Sequence, residues 1–214
     1  MAISEQQRQK KLAKEAKKKK EALAKRKKGS SLSKTKAASY ATYPIHECLV
    51  PDTIFTAGIG NVLISRKAPD GYIAASLFTV DVYCLGVKNA FFKVVNKFDY
   101  EDNVKEPLFD SHEGATFKSV SPSCARKLIE GSVAYAAELG FTYHRDYKNA
   151  AGIFGDIDSS TCPENYEYGQ NGKPFYVQGP KETPTQAKRI VDQLRSHCGE
   201  GGFHFLIVGP RESF

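Results

Sequence analysis

The 214-residue sequence predicts an α+β fold, in which two or three helices pack on a largely antiparallel sheet that follows a basic, partly helical N-terminal arm. Three observations lead to this prediction. Apolar segments rich in β-branched and aromatic residues follow one another with only short turns between them. Two later segments carry the start and stop signals of helices. Basic residues, finally, are concentrated at the N-terminus.

Charge divides the chain into two parts. Residues 1–38 contain fourteen Lys and Arg against three Glu, a net charge of +11, whereas the remaining 17 basic and 21 acidic residues give −4. Strong helix formers fill residues 4–28, but their apolar members form no continuous stripe. We therefore predict a basic flexible or nascent-helical arm and linker at 1–39 and a single α+β domain at 40–214.

The first half of the domain predicts strands. An entry strand is expected at 43–50, and three further strands are expected at 60–67, 72–84 and 87–96, where they would form an antiparallel meander. The segment 72–84 is almost continuously apolar, which is typical of a strand buried on both faces.

The second half of the domain predicts the helices. The clearest helix spans 121–140, where Ser121 or Ser123 can cap the first turn and Gly140 can end the last. The residues before it, 97–118, form a polar stretch without an assigned element. The other predicted elements are a short helix, a β-hairpin around Asn171-Gly172, a helix that opens with Pro and a closing strand, at 146–153, 165–179, 184–196 and 202–209.

Cysteine usage and hydropathy bear on the compartment. The number of cysteines is odd, their spacings are wide and no CxxC pair occurs, so we expect reduced thiols in a reducing compartment. The sequence has no run of 18 apolar residues and no apolar segment after its charged N-terminus. We expect a cytoplasmic protein without a membrane span. The cysteines are Cys48, Cys84, Cys124, Cys162 and Cys198.

The arm indicates a polyanionic partner. Lysine neutralises phosphate as a point charge but lacks the fork that reads a base edge, so such an arm positions a protein on a nucleic-acid backbone. Its composition is similar to that of the basic extensions of ribosomal proteins. The leading hypothesis is an RNA- or ribosome-associated binding protein, with RNA favoured over DNA because nothing resembles a major-groove reader. The candidate contact residues are Arg8, Lys10, Lys11, Lys14, Lys17, Lys18, Lys19, Lys20, Lys25, Arg26, Lys27 and Lys28.

Other interpretations of the arm stay open. It could be a solubilising tail without a partner, a contact for anionic lipid or, in a eukaryote, a nuclear import signal at 25–28. A further class of function is a factor that binds one protein partner.

His46 and Cys48 form a candidate metal pair. On a strand, residues two apart point to the same face, and imidazole and thiolate are common zinc ligands. A zinc site needs two more ligands, for which the sequence offers no characteristic spacing. The alternative is a core histidine with its hydrogen bonds satisfied and a buried cysteine.

Asp81 is the best single candidate for a functional carboxylate. It lies within the most apolar predicted strand, where an ionised side chain is costly unless it is paired or hydrogen-bonded. The alternative is a structural role, with Lys88 or Arg66 as its buried partner.

A second pair of carboxylates could take part in catalysis. Asp156 and Asp158 can share a divalent cation, although they can equally cap a helix and form a turn. If these two meet Asp81 and Glu47, a metal-dependent nuclease or another phosphate-handling hydrolase becomes a second hypothesis. No cofactor is expected otherwise, and the sequence leaves open whether the domain is catalytic.

Cys124 is a candidate nucleophile. It lies in the first turn of the predicted helix 121–140, where the helix dipole lowers the pKa of a thiol.

Several segments of the domain resemble those of an uncharacterised group of bacterial proteins that also begin with a Lys-rich arm. The resemblance extends over about residues 43–205, implies a bacterial cytoplasmic location and implies no activity. The segments are YPIHECLVP (43–51), VDVYCLGVKNAFF (80–92), SPSCARKLIEGSVAYAAELGF (121–141), IFGDID (153–158) and GKPFYVQGP (172–180).

Overall fold

The three strands of the predicted antiparallel meander form, and the entry strand and a short fifth strand extend the sheet on one side. The structure is a computed structural model that describes residues 36–112 and 114–207. The sheet order is β4-β3-β2-β1-β5, with antiparallel neighbours throughout. The strands are β1 (Ile45–Pro51), β2 (Ile59–Lys67), β3 (Ile73–Asp81), β4 (Gly86–Val95) and β5 (Phe117–Ser119).

Helices cover both faces of this sheet, and the α+β fold is confirmed. They are α1 (Ile54–Ala57), α2 (Lys97–Tyr100), α3 (Glu106–Asp110), α4 (Pro122–Glu138), α5 (Tyr147–Ala151) and α6 (Pro184–Cys198). A π-helical turn (Glu101–Lys105) joins α2 to α3, and short 3₁₀ helices lie at Ala37–Tyr40, Gly152–Phe154 and Ser159–Thr161.

β3 is buried on both faces, as its composition predicts. Ala74 and Phe78 pack in the cluster beneath α4, whereas Ile73 and Ala75 pack in a second cluster on the opposite face. The strand is shorter than predicted, because it ends at Asp81 and residues 82–85 form a turn.

The longest helix, α4, lies on the face that Phe78 contacts. Ser121 Oγ accepts a hydrogen bond from the Cys124 N–H at 3.2 Å, which confirms the predicted N-cap. Leu128 and Ile129 are completely buried against the sheet. Each methylene group buried here contributes about 0.8 kcal/mol, so this apolar face holds the helix in place.

The opposite face is covered by residues 97–110, which the sequence had left without an element. Tyr100, Val104 and Leu108 are buried there against Leu49 and Leu63. Their spacing of four residues is that of one helix face, but charged residues between them obscure the pattern.

The C-terminal part of the domain contains a β-α-β unit. β6 (Phe175–Val177) and β7 (His204–Leu206) pair in parallel, and α6 connects them. The predicted hairpin is therefore wrong in its pairing. Its turn does form, with Asn171 at φ 53° and a bridge between Gln170 and Lys173, but the flanking segments do not continue as a ladder.

Residues just before the predicted boundary at Tyr40 also pack against the domain. Ala37 is completely buried in the main hydrophobic cluster. The segment that follows is held by Arg66, whose guanidinium donates to the carbonyl oxygens of Tyr43, Ile153 and Phe154 at 2.6, 2.8 and 2.8 Å.

Two cysteines form a disulfide, so the expectation of five reduced thiols is wrong. Cys124 and Cys162 are joined by an S–S bond of 2.05 Å, which removes the free thiol that the nucleophile hypothesis requires of Cys124. Cys48 and Cys84 are buried free thiols, and Cys198 is half-buried. Disulfides persist mainly in oxidising environments, so the cytoplasmic location stays a prediction.

The helices of the structure also bear on the prediction that the chain has no membrane span. Within the described ranges, no helix is both long enough and apolar enough to cross a membrane.

Replacing Cys124 and Cys162 together by Ala should lower the free energy of unfolding by about 3–4 kcal/mol, because the disulfide constrains the unfolded chain. The two residues are 38 positions apart, which sets this magnitude. Urea unfolding measures the change. Cys198→Ala is the control and should have a much smaller effect. An unchanged free energy in the double variant would show that the bond does not constrain the chain.

Candidate functional site

Asp81 ends β3 and organises the turn that leads into β4. Its Oδ1 atom accepts hydrogen bonds from the backbone N–H groups of Tyr83, Cys84 and Leu85 at 3.0, 2.9 and 3.2 Å. The residue is only 8% exposed. These three N–H groups lie beyond the end of the strand and have no partner in the β-ladder, so one side chain supplies their acceptor.

Burial raises the pKa of the Asp81 carboxyl. The N–H groups of Cys84, Leu85 and Tyr83 and the charge of Lys88 act in the opposite direction but do not cancel the effect. Desolvation disfavours the ionised form, so the carboxylate is a costly group in this position.

A cavity of about 200 Å³ opens beside Asp81. It lies between the end of β3, the end of α1 and the loop after β6, and its lining includes Asp81, Tyr83, Lys88, Phe175 and Gln178. One wall depends on a glycine. Gly58 has φ 76°, and a Cβ there would lie 2.1 Å from Cδ2 of the Tyr83 ring. A larger residue would therefore displace this ring.

Lys88 is neutralised by a residue other than Asp81. Its Nζ lies 2.6 Å from Glu182 Oε1, and Glu182 Oε2 accepts from Tyr176 Oη at 2.6 Å and from the Gly179 N–H at 3.0 Å. Burial would raise the pKa of Glu182, but Lys88, Tyr176 and Gly179 together lower it. Glu182 is therefore the ionised partner of Lys88, a role that the sequence did not reveal.

Gln178 presents an unsatisfied acceptor. Its Nε2 donates to the Glu182 carbonyl oxygen at 2.9 Å, which fixes the orientation of the amide. Its Oε1 is buried and has no hydrogen-bond partner in the part of the chain that the structure describes. Most buried polar atoms are paired, so this atom calls for a donor.

The other predicted carboxylates lie elsewhere. Glu47 faces the side of the sheet that α2 covers, where its Oε1 accepts from Tyr100 Oη at 2.7 Å and lies 3.2 Å from Lys105 Nζ. Asp158 accepts from the Ser160 N–H at 2.9 Å and caps the 3₁₀ helix Ser159–Thr161, which is the structural alternative predicted for it.

Asp156 and Asp81 lie toward opposite ends of the sheet. Asp156 is exposed, 3.5 Å from the guanidinium of Arg66, and Arg66 pairs with Ala74 in β3. Seven residues of extended strand, about 23 Å, separate Ala74 from Asp81. The two residues proposed as partners of Asp81 therefore both have other contacts, since Arg66 binds the loop around Asp156.

These positions bear on the metal hypotheses. The structure does not bring the four carboxylates together, which was the condition for the hydrolase hypothesis. Across residues 36–112 and 114–207, no group of three or more His, Cys, Asp or Glu side chains is arranged to hold a metal ion.

His46 and Cys48 do not share a face of β1. A register shift between Ile45 and Glu47 turns the His46 ring toward Tyr100, at 5.4 Å between centroids. Cys48 packs in the cluster beneath α4, and burial there raises the pKa of its thiol to about 12. The bulge thus breaks the alternation on which the predicted pair depended.

The candidate RNA contacts from Arg8 to Lys28 lie outside the described residues.

No family model, no curated protein and no solved structure matches this chain. The similarity to an uncharacterised bacterial group therefore stays a prediction.

Asp81→Ala should destabilise the domain by at least about 2 kcal/mol, because three buried N–H groups lose their acceptor. Asp81→Asn should cost clearly less, since its amide oxygen can take the place of Oδ1. Urea unfolding at neutral pH compares the two variants, with the exposed residue Asp102 changed to Asn as a control. An equal loss of unfolding free energy in the Ala and Asn variants would show that the oxygen acceptor at position 81 does not stabilise the domain.

Proposed function

We propose that this protein binds RNA through residues 1–38, as an RNA- or ribosome-associated factor. The observation that carries the proposal is the division of charge: +11 in these 38 residues and −4 in the remainder of the chain. A net negative domain does not attract a polyanion, so the affinity must come from the N-terminal part.

The chemistry of the arm favours backbone contacts over base recognition. Twelve of its fourteen basic residues are lysine, and each lysine that neutralises a phosphate releases condensed counterions. Binding driven in this way depends steeply on salt and weakly on sequence. The composition of the arm is similar to that of the basic extensions of ribosomal proteins, which is why a ribosomal location is part of the proposal.

The first residues that the structure describes define where this arm can be removed. Lys36 precedes the buried Ala37, which packs in the main cluster, and Tyr40 lies 5.8 Å from Phe92 of β4 between ring centroids. Removing residues 1–35 therefore deletes thirteen of the fourteen basic residues of the arm and retains these contacts.

Removing residues 1–35 should abolish most RNA binding and leave the domain folded. For six neutralised phosphates, the affinity of the intact protein for single-stranded RNA should fall between 50 and 200 mM salt by about two to three orders of magnitude. Fluorescence anisotropy with a labelled single-stranded RNA measures both effects, and thermal unfolding checks the fold of the truncated protein.

A matched pair of variants separates charge from structure in this experiment. Changing Lys17, Lys18, Lys19 and Lys20 to Gln should weaken binding and reduce its salt dependence, whereas changing them to Arg should preserve both. Tight RNA binding by the truncated protein at physiological salt would refute the proposal. A saturable complex with a protein that withstands nuclease would instead support a protein-partner function.

A further inference from the structure

A cleft of about 700 Å³ opens between the end of β1, α1, the first turns of α4 and the loop 163–166. Its volume lies within the range of about 300–1,000 Å³ that is typical of small-molecule sites. The cleft shares no lining residue with the cavity beside Asp81. It is therefore a separate place on the domain where a ligand can be sought.

The floor of the cleft is apolar. Ile54 and Leu128 are almost completely buried beneath it. Val50 and Val120 are half-buried, pack on the same hydrophobic cluster and also line the cleft. These side chains leave their remaining exposed apolar surface in one concave place, and covering such surface is favourable.

Charged groups are confined to the exposed rim of the cleft. Among the described residues that line it, the charged side chains are Asp52, Lys118 and Glu164, and all three are exposed. A charge on the apolar floor would lose its hydration without gaining a partner. The cleft therefore suits an uncharged molecule with an apolar body, whose polar group stays at the rim.

Contacts within the protein hold the loop 163–166 in place. The disulfide joins Cys124 of α4 to Cys162, which directly precedes this loop. Lys127 Nζ donates to the carbonyl oxygens of Cys162 and Glu164 at 3.2 and 2.7 Å. Because this wall is already fixed to α4, a ligand does not have to order it, which lowers the cost of binding.

Two aromatic side chains form another part of the wall. Phe55 of α1 and Tyr166 stack with 5.5 Å between ring centroids and 16° between ring planes, and both rings line the cleft. Both are half-buried and pack on the main hydrophobic cluster. The stacked pair thus joins α1 to the loop 163–166, and removal of one ring would open the cleft on this side.

The geometry points to a binding site for a small uncharged hydrophobic molecule, with its carbon body on the apolar floor and one polar group at the rim. The site is independent of the arm, so it stands or falls separately from RNA binding. The affinity should rise about fourfold with each methylene group that the cleft covers.

The test uses the full-length protein and two probes of equal chain length. 1-Hexanol can keep its hydroxyl at the rim, whereas 1,6-hexanediol must bring its second hydroxyl onto the apolar floor. In ¹H–¹⁵N NMR titrations, 1-hexanol should cause saturable shifts in the amides of residues 50–55, 118–128 and 163–166. The diol should bind at least about tenfold more weakly, because a buried hydroxyl without a hydrogen bond is costly. 1-Butanol, with two methylene groups fewer, should bind about fifteenfold more weakly.

Variants locate the binding. Val120→Phe fills the cleft from its floor and should weaken 1-hexanol binding at least about tenfold, because little of the volume remains. Val177→Phe adds the same side chain at an exposed position outside the cleft and should leave binding unchanged. Tyr166→Ala removes part of the wall, should weaken binding severalfold and keeps the test valid if Val120→Phe does not fold. The inference is overturned by equal affinity for 1-hexanol and the diol, by binding that survives both cleft variants, or by the absence of saturable shifts, in which case the cleft holds water only.

Discussion

The hydrogen bonds from three backbone N–H groups to the Asp81 carboxylate are the constraint on which the rest of the domain depends. They fix residues 82–85, and the turn brings Cys84 and Leu85 into the hydrophobic cluster that also contains Tyr176 and Leu194. This cluster connects the antiparallel meander to the C-terminal β-α-β unit. One buried charge thus sets the direction of β4 and the packing of the segment that carries Gln178.

The same carboxylate gives the domain a chemical feature beyond its fold. A charge in a dry position is costly, and proteins usually pair such a group with a cation. Here Lys88 forms its ion pair with Glu182, and Tyr176 binds the other oxygen of Glu182. The charge of Lys88 also acts on Asp81, but it does not cancel the effect of burial.

Local patterns in the sequence predicted the elements whose signals are local. The apolar run of β3, the cap at Ser121 and the proline that opens α6 are all confirmed. Three other contacts join residues that are distant in the sequence, and no local pattern specifies them. The disulfide joins residues 38 positions apart, the pairing of β6 with β7 joins residues 29 apart, and the bond between Lys88 and Glu182 joins residues 94 apart. Asp81 was recognised because a carboxylate in an apolar strand is conspicuous, whereas Gln178 and Glu182 lie in an ordinary polar loop. The bulge at His46 likewise depends on the pairing with β2.

The most direct test of the role of Asp81 is a ¹³C-detected NMR titration of its side-chain carboxyl, assigned with the Asp81→Asn variant. Burial outweighs the three N–H donors and Lys88, so the pKa of this carboxyl should lie above the ordinary value for aspartate. A pKa at or below the ordinary value would contradict the account, because it would mean that the three N–H donors and the charge of Lys88 outweigh the effect of burial.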